Sequence, residues 1–215
     1  MYNRLKNIYN VLPKCDVFAD IGCDHGYIAK AMITDKKCNT VIVSDISEKS
    51  LDKAKNLLKK EIAEKQAFAF VSDGFDKLPK VDLALISGMG GKEIISILKR
   101  CDNLPEKLVL QPMKNCDMVR KTVVSLGYKI VYDKVFKDGV MFYNVISLIR
   151  GKDVLTEEEI AFGRTNITSY NPDFTELMKT EIGKIENYIK NGASGKEKER
   201  LQRKTELMKK YVDNK

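Results

Sequence analysis

Histidine is nearly missing from this 215-residue chain, with His25 the sole example. Five cysteines, at 15, 23, 38, 101 and 116, are odd in number and include no Cys-x-x-Cys pair. A structural zinc site is therefore not expected, and reduced thiols are. No apolar run approaches the ~20 residues that span a bilayer, so no membrane partner is expected. The opening Met1-Tyr2-Asn3-Arg4-Leu5-Lys6 has no secretory h-region. A cytoplasmic protein is the expectation. Internal repeats and low-complexity tracts are absent. A hydrophobic content of 43% excludes a disordered chain and supports a real core.

Charge is unevenly spread. The net charge is +8, yet residues 151–215 hold 13 Lys and Arg against 12 Asp and Glu. Residues 1–150 hold the other 25 against 18, so the basic excess lies in the first part. That suits a polyanionic substrate. A lysine-rich proteome would give the same excess without any nucleic acid. The sequence does not set an oligomeric state, and a monomer is the default expectation.

Strand and helix patterns alternate through residue 126. Strands are predicted at 16–21, 40–46, 68–72, 81–87 and 107–111, and helices at 2–10, 26–34, 47–65, 91–100 and 115–126. Ser47 is a plausible cap for the 47–65 helix, and Gly127 closes the helix before it. Such alternation predicts a parallel sheet covered on both faces. Two further strands follow, 129–136 and 140–149, joined by Lys137-Asp138-Gly139. They predict a terminal antiparallel hairpin. The fold expected is α/β and Rossmann-like, with the terminal hairpin that usually ends Rossmann-like methyltransferases. Its seven-stranded sheet ends in an antiparallel hairpin. A standard dinucleotide-binding domain tends to continue with parallel units instead.

After Gly151 the chain turns helical. Thr156-Glu157-Glu158-Glu159 is a capping-box pattern, and Asn171-Pro172 opens another helix. Apolar residues three and four apart follow on both sides of Asn191-Gly192-Ala193-Ser194-Gly195. They predict a coiled-coil-like helical hairpin. Two domains are expected, 1–151 and 152–215. The hairpin either packs or touches RNA.

Four polar, glycine-bearing clusters fall at successive strand ends. The first is Asp20-Ile21-Gly22-Cys23-Asp24-His25-Gly26-Tyr27. The second is Asp45-Ile46-Ser47, where a carboxylate can accept both hydroxyls of a ribose. The third, Ser72-Asp73-Gly74, can accept from an adenine amino group. The fourth, Ser87-Gly88-Met89-Gly90-Gly91, leaves room for a substrate. Singly these are weak signals, and together in register they describe a nucleoside-cofactor site. A nicotinamide pyrophosphate wants Gly-x-Gly-x-x-Gly on a helix N-terminus, but Asp24 stands at the second glycine position and would repel it. The sulfonium and ammonium groups of S-adenosylmethionine favour acidic neighbours, which points to methyl transfer. Asp24 can orient a substrate amine, take a proton or stabilise developing positive charge. It can equally cap the 26–34 helix or bind the methionine ammonium. His25 is expected in the cofactor pocket, and Tyr27 either stacks on a base or covers the pocket. The fourth cluster lacks the Asp/Asn-Pro-Pro-aromatic run of exocyclic-amine methyltransferases, and no cysteine is placed for attack on a pyrimidine. A purine ring nitrogen needs neither device.

The strings DIGCDHGY, SDIS, SDGF, SGMGG and LVLQPM, in that order and spacing, resemble the bacterial tRNA adenine-N1 methyltransferases that modify position 22. The likeness covers about residues 4–150 closely and the helical hairpin more loosely. It implies a class I methyltransferase fold with a C-terminal coiled-coil domain, S-adenosylmethionine as cofactor and whole tRNA as partner. It implies cofactor contacts from Asp20, Gly22, Asp45, Asp73 and Gly74, with Cys23, His25, Gly26, Ile46 and Ser47 beside them. Gly88, Met89 and Gly90 would line the methyl group, and Asp24 would be the catalytic acid. Gln111 and Pro112 would form part of the target-base pocket, beside Met113, which stands where the family usually has asparagine. Cys23 and Gly26 stand where serine and alanine are common. Competing readings are a methyltransferase for another RNA position, a small molecule or a protein, and a non-catalytic tRNA-binding module.

Overall fold

The computed structural model describes residues 3–213. Tyr2, at the predicted start of the first helix, lies outside them, as do Met1, Asn214 and Lys215 at the predicted domain ends. The parallel strands are β1 (Val17–Ile21), β2 (Thr40–Asp45), β3 (Ala67–Val71), β4 (Leu83–Met89) and β5 (Lys107–Pro112). An antiparallel pair follows, β6 (Tyr128–Asp138) and β7 (Met141–Arg150). The sheet order is β3-β2-β1-β4-β5-β7-β6.

Near-continuous apolar runs make the central strands, because helices cover both faces. Side chains alternate between two cores. Phe18, Val41, Val43, Leu83, Leu85 and Val109 pack on one face. They meet α1 (Asn3–Val11), α2 (Tyr27–Thr34) and α3 (Glu48–Leu57) through Ile8, Met32 and Leu51. Ala19, Ile21, Ile42, Ala84, Ile86 and Leu108 face the other way. There they meet α5 (Gly91–Arg100) and α6 (Cys116–Ser125) through Ile94, Leu98, Val119 and Val123. The chain winds outward from β1 to β3, then returns to β4 on β1's other side. This reversal opens a crevice at the carboxyl ends of β1 and β4.

Two local expectations change. The single helix predicted over 47–65 is bent at Leu58, which separates α3 from α4 (Lys59–Ala63). Leu58 leaves helical geometry (φ −97°, ψ 15°), but its N–H still bonds Ala54 O and its carbonyl still accepts from Ile62. Its side chain is fully buried, so packing holds the bend. The terminal hairpin is also tighter than expected. Pairing runs out to Asp138 and Met141, leaving Gly139-Val140 as the two-residue connection, with Gly139 at φ 61°.

The C-terminal segment holds α7 (Glu157–Phe162), α8 (Arg164–Thr168), α9 (Pro172–Lys190) and α10 (Gly195–Asp213). The capping box at α7 forms, with Thr156 Oγ1 accepting from Glu159 N–H at 3.1 Å and Thr156 N–H donating to the Glu159 carboxylate at 2.8 Å. Phe174, Met178, Ile182 and Ile185 of α9 meet Met208 of α10 in a third core, which includes Val135 of β6.

That segment is stitched to the sheet's outer edge. Backbone N–H groups of Asp133, Val135 and Lys137 donate to Thr165 Oγ1, Asn166 Oδ1 and Asp173 Oδ2 at 2.9, 2.9 and 3.0 Å. Asn171 Nδ2 donates to Val135 O at 2.9 Å. Side chains thus occupy positions that another strand would take. Beneath this seam Arg120 of α6 is 1% exposed. It bonds both oxygens of buried Asp133 at 2.6 and 3.0 Å, Asn144 Oδ1 at 3.1 Å, and the Ile160 and Ala161 carbonyls. A Cβ on Gly163 would lie 2.7 Å from the Asp133 carboxylate, so only glycine fits between α7 and α8.

Candidate active site

A cleft of about 520 Å³ opens over the carboxyl ends of β1, β2, β3 and β4. Its walls include Asp20, Gly22, Cys23, Asp24, His25 and Tyr27 from the first predicted cluster. Asp45 and Ile46, Asp73 and Gly74, and Gly88 and Met89 come from the other three. Gly26, Ser47, Gly90, Gln111, Pro112 and Met113 stand behind or beside these walls rather than among them.

The turn after β1 is held open by backbone geometry. Gly22 and Cys23 donate N–H bonds to Ser44 O at 2.8 and 3.0 Å. Gly22 adopts φ +69°, and a Cβ there would lie 2.1 Å from Met89 Cε. Asp24 itself sits at φ +45°. A left-handed, non-glycine residue is strained, and such strain clusters at functional loops. Asp24 does not cap α2: Gly26 holds the N-cap position, with no side-chain bond. The Asp24 side chain, 58% exposed, pairs with Lys53 Nζ at 2.8 Å and lies 3.6 Å from His25 Nε2. His25 and Tyr27 stack, with ring centroids 5.2 Å apart and planes 9° from parallel. Both rings border the cleft, and Tyr27 is 43% exposed.

The carboxylates differ in their partners. Asp20 is 4% exposed and forms no ion pair among the described residues. Burial raises its pKa to about 7 against the N–H bond from Ala29, and Asp45 adds to the rise. Asp45 is pre-oriented, accepting from Ser47 N–H at 2.9 Å and Asp24 N–H at 3.4 Å. Asp73 is gripped by Arg100 of α5 through two contacts of 2.8 Å. That guanidinium holds its carboxyl below the usual range. Each Asp73 oxygen keeps a further lone pair for a ligand donor.

Gln111, expected to face a target base, is fully buried. Its Oε1 accepts from Gly88 N–H at 3.2 Å and from Arg4 Nη1 at 2.8 Å. Its Nε2 faces Pro112 O and Met113 Sδ, at 3.3 and 3.4 Å. The amide thus braces the bulged end of β4, where register shifts between Ser87 and Met89. Met113 is 45% exposed beside this brace.

Sequence reasoning missed Arg4, Lys53 and Arg100. Each is one of two or more cations on its helix, indistinguishable from its solvated neighbours until the chain folds. Burial disfavours the thiolates, pushing Cys15 and Cys116 up to about 11 and Cys38 to about 12, and also raising Cys23 and Cys101. Among the described residues, no group of three His, Cys, Asp or Glu is placed to hold a metal ion. No described helix is long and apolar enough to cross a membrane.

Comparison with known proteins supports the same chemistry. A family model described as a methyltransferase domain matches residues 1–146. A candidate tRNA methyltransferase of Mycoplasma pneumoniae is 31% identical over 197 residues, covering 87% of this chain and 90% of the relative. The tRNA (adenine(22)-N(1))-methyltransferase of Bacillus subtilis is 27% identical over 148 residues, covering 66% of this chain and 62% of that one. The M. capricolum TrmK structure with S-adenosyl-homocysteine superposes with a TM-score of 0.89 at 23% identity, covering 99% of this chain and 98% of that one.

Proposed function

The chain belongs to the methyltransferase-domain family, and from that premise we propose that it methylates N1 of adenine 22 in tRNA, using S-adenosylmethionine. The observation that carries this reading is the acidic strand-end cleft with Asp24 strained into its mouth. Residues 1–151 would be the transfer unit and 152–215 an appended helical unit. The same reading puts the protein in the cytoplasm with its RNA substrate, as a monomer.

The residues present fit the cofactor. Asp20 is a buried carboxylate with no cation among the described residues, as an ammonium group requires. Asp45 is oriented to accept ribose hydroxyls, Asp73 and Gly74 stand where an adenine edge would lie, and the bare Cα of Gly22 permits close approach. S-adenosylmethionine supplies an electrophilic methyl group activated by sulfonium.

Adenine N1 carries an in-ring lone pair, so the acceptor needs no strong base. What it needs is orientation and a place for charge, because the methylated ring is cationic. Asp24 can accept a hydrogen bond from the exocyclic amine and stabilise that cation once Lys53 yields its place. The half-exposed Tyr27 offers its face to a base at the cleft mouth. In folded tRNA the target adenine must leave its tertiary contacts to reach this site.

The decisive experiment is tritiated methyl transfer to an unmodified tRNA transcript and to the same transcript with guanine at position 22. Incorporation into the first alone, mapped as N1-methyladenosine, is expected. Equal incorporation into both would move the target elsewhere. None into either, with cofactor bound, would favour a small-molecule or protein acceptor.

A further inference from the structure

The cleft is mainly acidic. Asp20, Asp24, Asp45, Asp73 and Glu93 line it, and among the described lining residues Arg4 is the one Lys or Arg. Its guanidinium forms no ion pair there. Its partners are instead a neutral amide, Gln111 Oε1 at 2.8 Å, and the Tyr143 ring, 5.8 Å from centroid to guanidinium carbon. A fully charged group held this way, at a cleft wall, still lacks an anion.

Three elements fix its place. The Arg4 backbone N–H donates to Asp138 Oδ2 at 2.9 Å, tying α1 to the tip of the β6–β7 hairpin. Gln111 bonds both Arg4 and Gly88 N–H, tying that tip to the bulged end of β4. Phe136 and Tyr143 stack across the hairpin at 5.6 Å, beneath the guanidinium. The hairpin also outreaches its neighbour. β5 pairs with β7 only at residues 146–149, so residues 141–145 stand about 15 Å beyond that pairing. Arg4 therefore sits between the glycine loop after β4 and a braced projecting arm, on the wall of the cleft.

A cationic cofactor gains nothing from this arginine. An incoming nucleotide does, because a base drawn into the cleft brings its phosphate to the rim. We propose that the Arg4 guanidinium binds a backbone phosphate of the released target nucleotide and so positions the acceptor base. One Nη1 hydrogen is committed to Gln111, and the remaining donors present the planar fork that suits phosphate oxygens. This deepens the tRNA reading and rests on it.

The test compares the whole protein with Arg4→Gln and Arg4→Lys. Arg4→Gln should raise KM for tRNA at least tenfold while leaving S-adenosylmethionine affinity within twofold. The slope of log tRNA affinity against log salt should become shallower by roughly one, the signature of one lost phosphate contact. Arg4→Lys should keep the slope and recover part of the KM. An unchanged slope in Arg4→Gln, with the loss confined to kcat, would overturn the proposal and reduce Arg4 to a brace for Gln111. Wild-type protein that transfers methyl groups to RNA while Arg4→Gln matches it in KM and slope would also sink it, leaving the function intact. Wild-type protein inert toward every tRNA would instead remove the reading beneath it.

Discussion

Asp20 and Asp133 are both buried aspartates on strands, and they live opposite lives. Asp133 receives two bonds from Arg120, and neighbouring carbonyls take the rest of that guanidinium. Burial raises the Asp133 carboxyl, as it does that of Asp20, but here Arg120 opposes the rise, and the carboxylate in turn raises the guanidinium's pKa. Asp20 has an N–H from Ala29 and no cation among the described residues, and its pKa climbs to about 7. A satisfied buried charge is architecture. An unsatisfied one, at the wall of a cleft, waits for something to arrive.

The contrast can be broken at either end. The largest effect is expected at the seam. Arg120→Ala strands a buried carboxylate and should cost about 3–5 kcal/mol in urea unfolding. The double change Arg120→Met with Asp133→Leu removes both charges and should cost clearly less, since the bridge repays little beyond its own desolvation. A double variant as unstable as the single one would show that the seam's hydrogen bonds, rather than charge pairing, carry the stability.

Asp20 should behave in the opposite sense. Its folded pKa lies above the ordinary value of 3.8, so the folded state holds its proton more tightly. Any stability from this is complete below pH ~4 and is lost as pH rises toward about 7, by roughly 4 kcal/mol at most. Cofactor-free Asp20→Asn should therefore be more stable than wild type at pH 8 and match it near pH 4, while binding S-adenosylmethionine at least tenfold more weakly. Equal unfolding midpoints at pH 8 would mean that the carboxylate is already relieved by solvent.

Asp24 tests the exposed side of the same loop. Asp24→Ala should slow methyl transfer to tRNA by roughly 100-fold with little change in folding stability. The smallest effect belongs to Lys53→Ala. It frees Asp24 from an exposed pair worth at most ~1 kcal/mol, and should leave unfolding unchanged while altering KM for tRNA by a few-fold. A large loss of transfer in Lys53→Ala would recast the lysine as a substrate contact.

Much of this was legible in the chain itself. Apolar runs ending in Asp20, Asp45, Asp73 and the Ser87–Gly91 turn placed four clusters at strand ends, because a parallel sheet brings carboxyl ends together. The capping box at Thr156 and the N-cap at Ser47 were local signals, and both form. Three features needed the third dimension. The bend at Leu58 carries no glycine or proline and is held by side-chain burial. Gln111 reads as a polar residue at a strand end, like the aspartates, and only the neighbouring Arg4 and Gly88 turn it inward. The pairing of Arg120 with Asp133 spans a helix and a strand, and each residue alone resembles a surface charge.

The side chains along β6 bear on how this protein is made. The strand is complete at Asp138, but the groups that occupy its outer edge come from Thr165, Asn166, Asn171 and Asp173. During synthesis the sheet is finished at Arg150, about twenty residues before its shield leaves the ribosome. For that interval the nascent chain presents an adhesive rim to its neighbours on a polysome. A ribosome that stalls near codon 151 would release a product with that rim permanently open, and the cell would meet it as an aggregate.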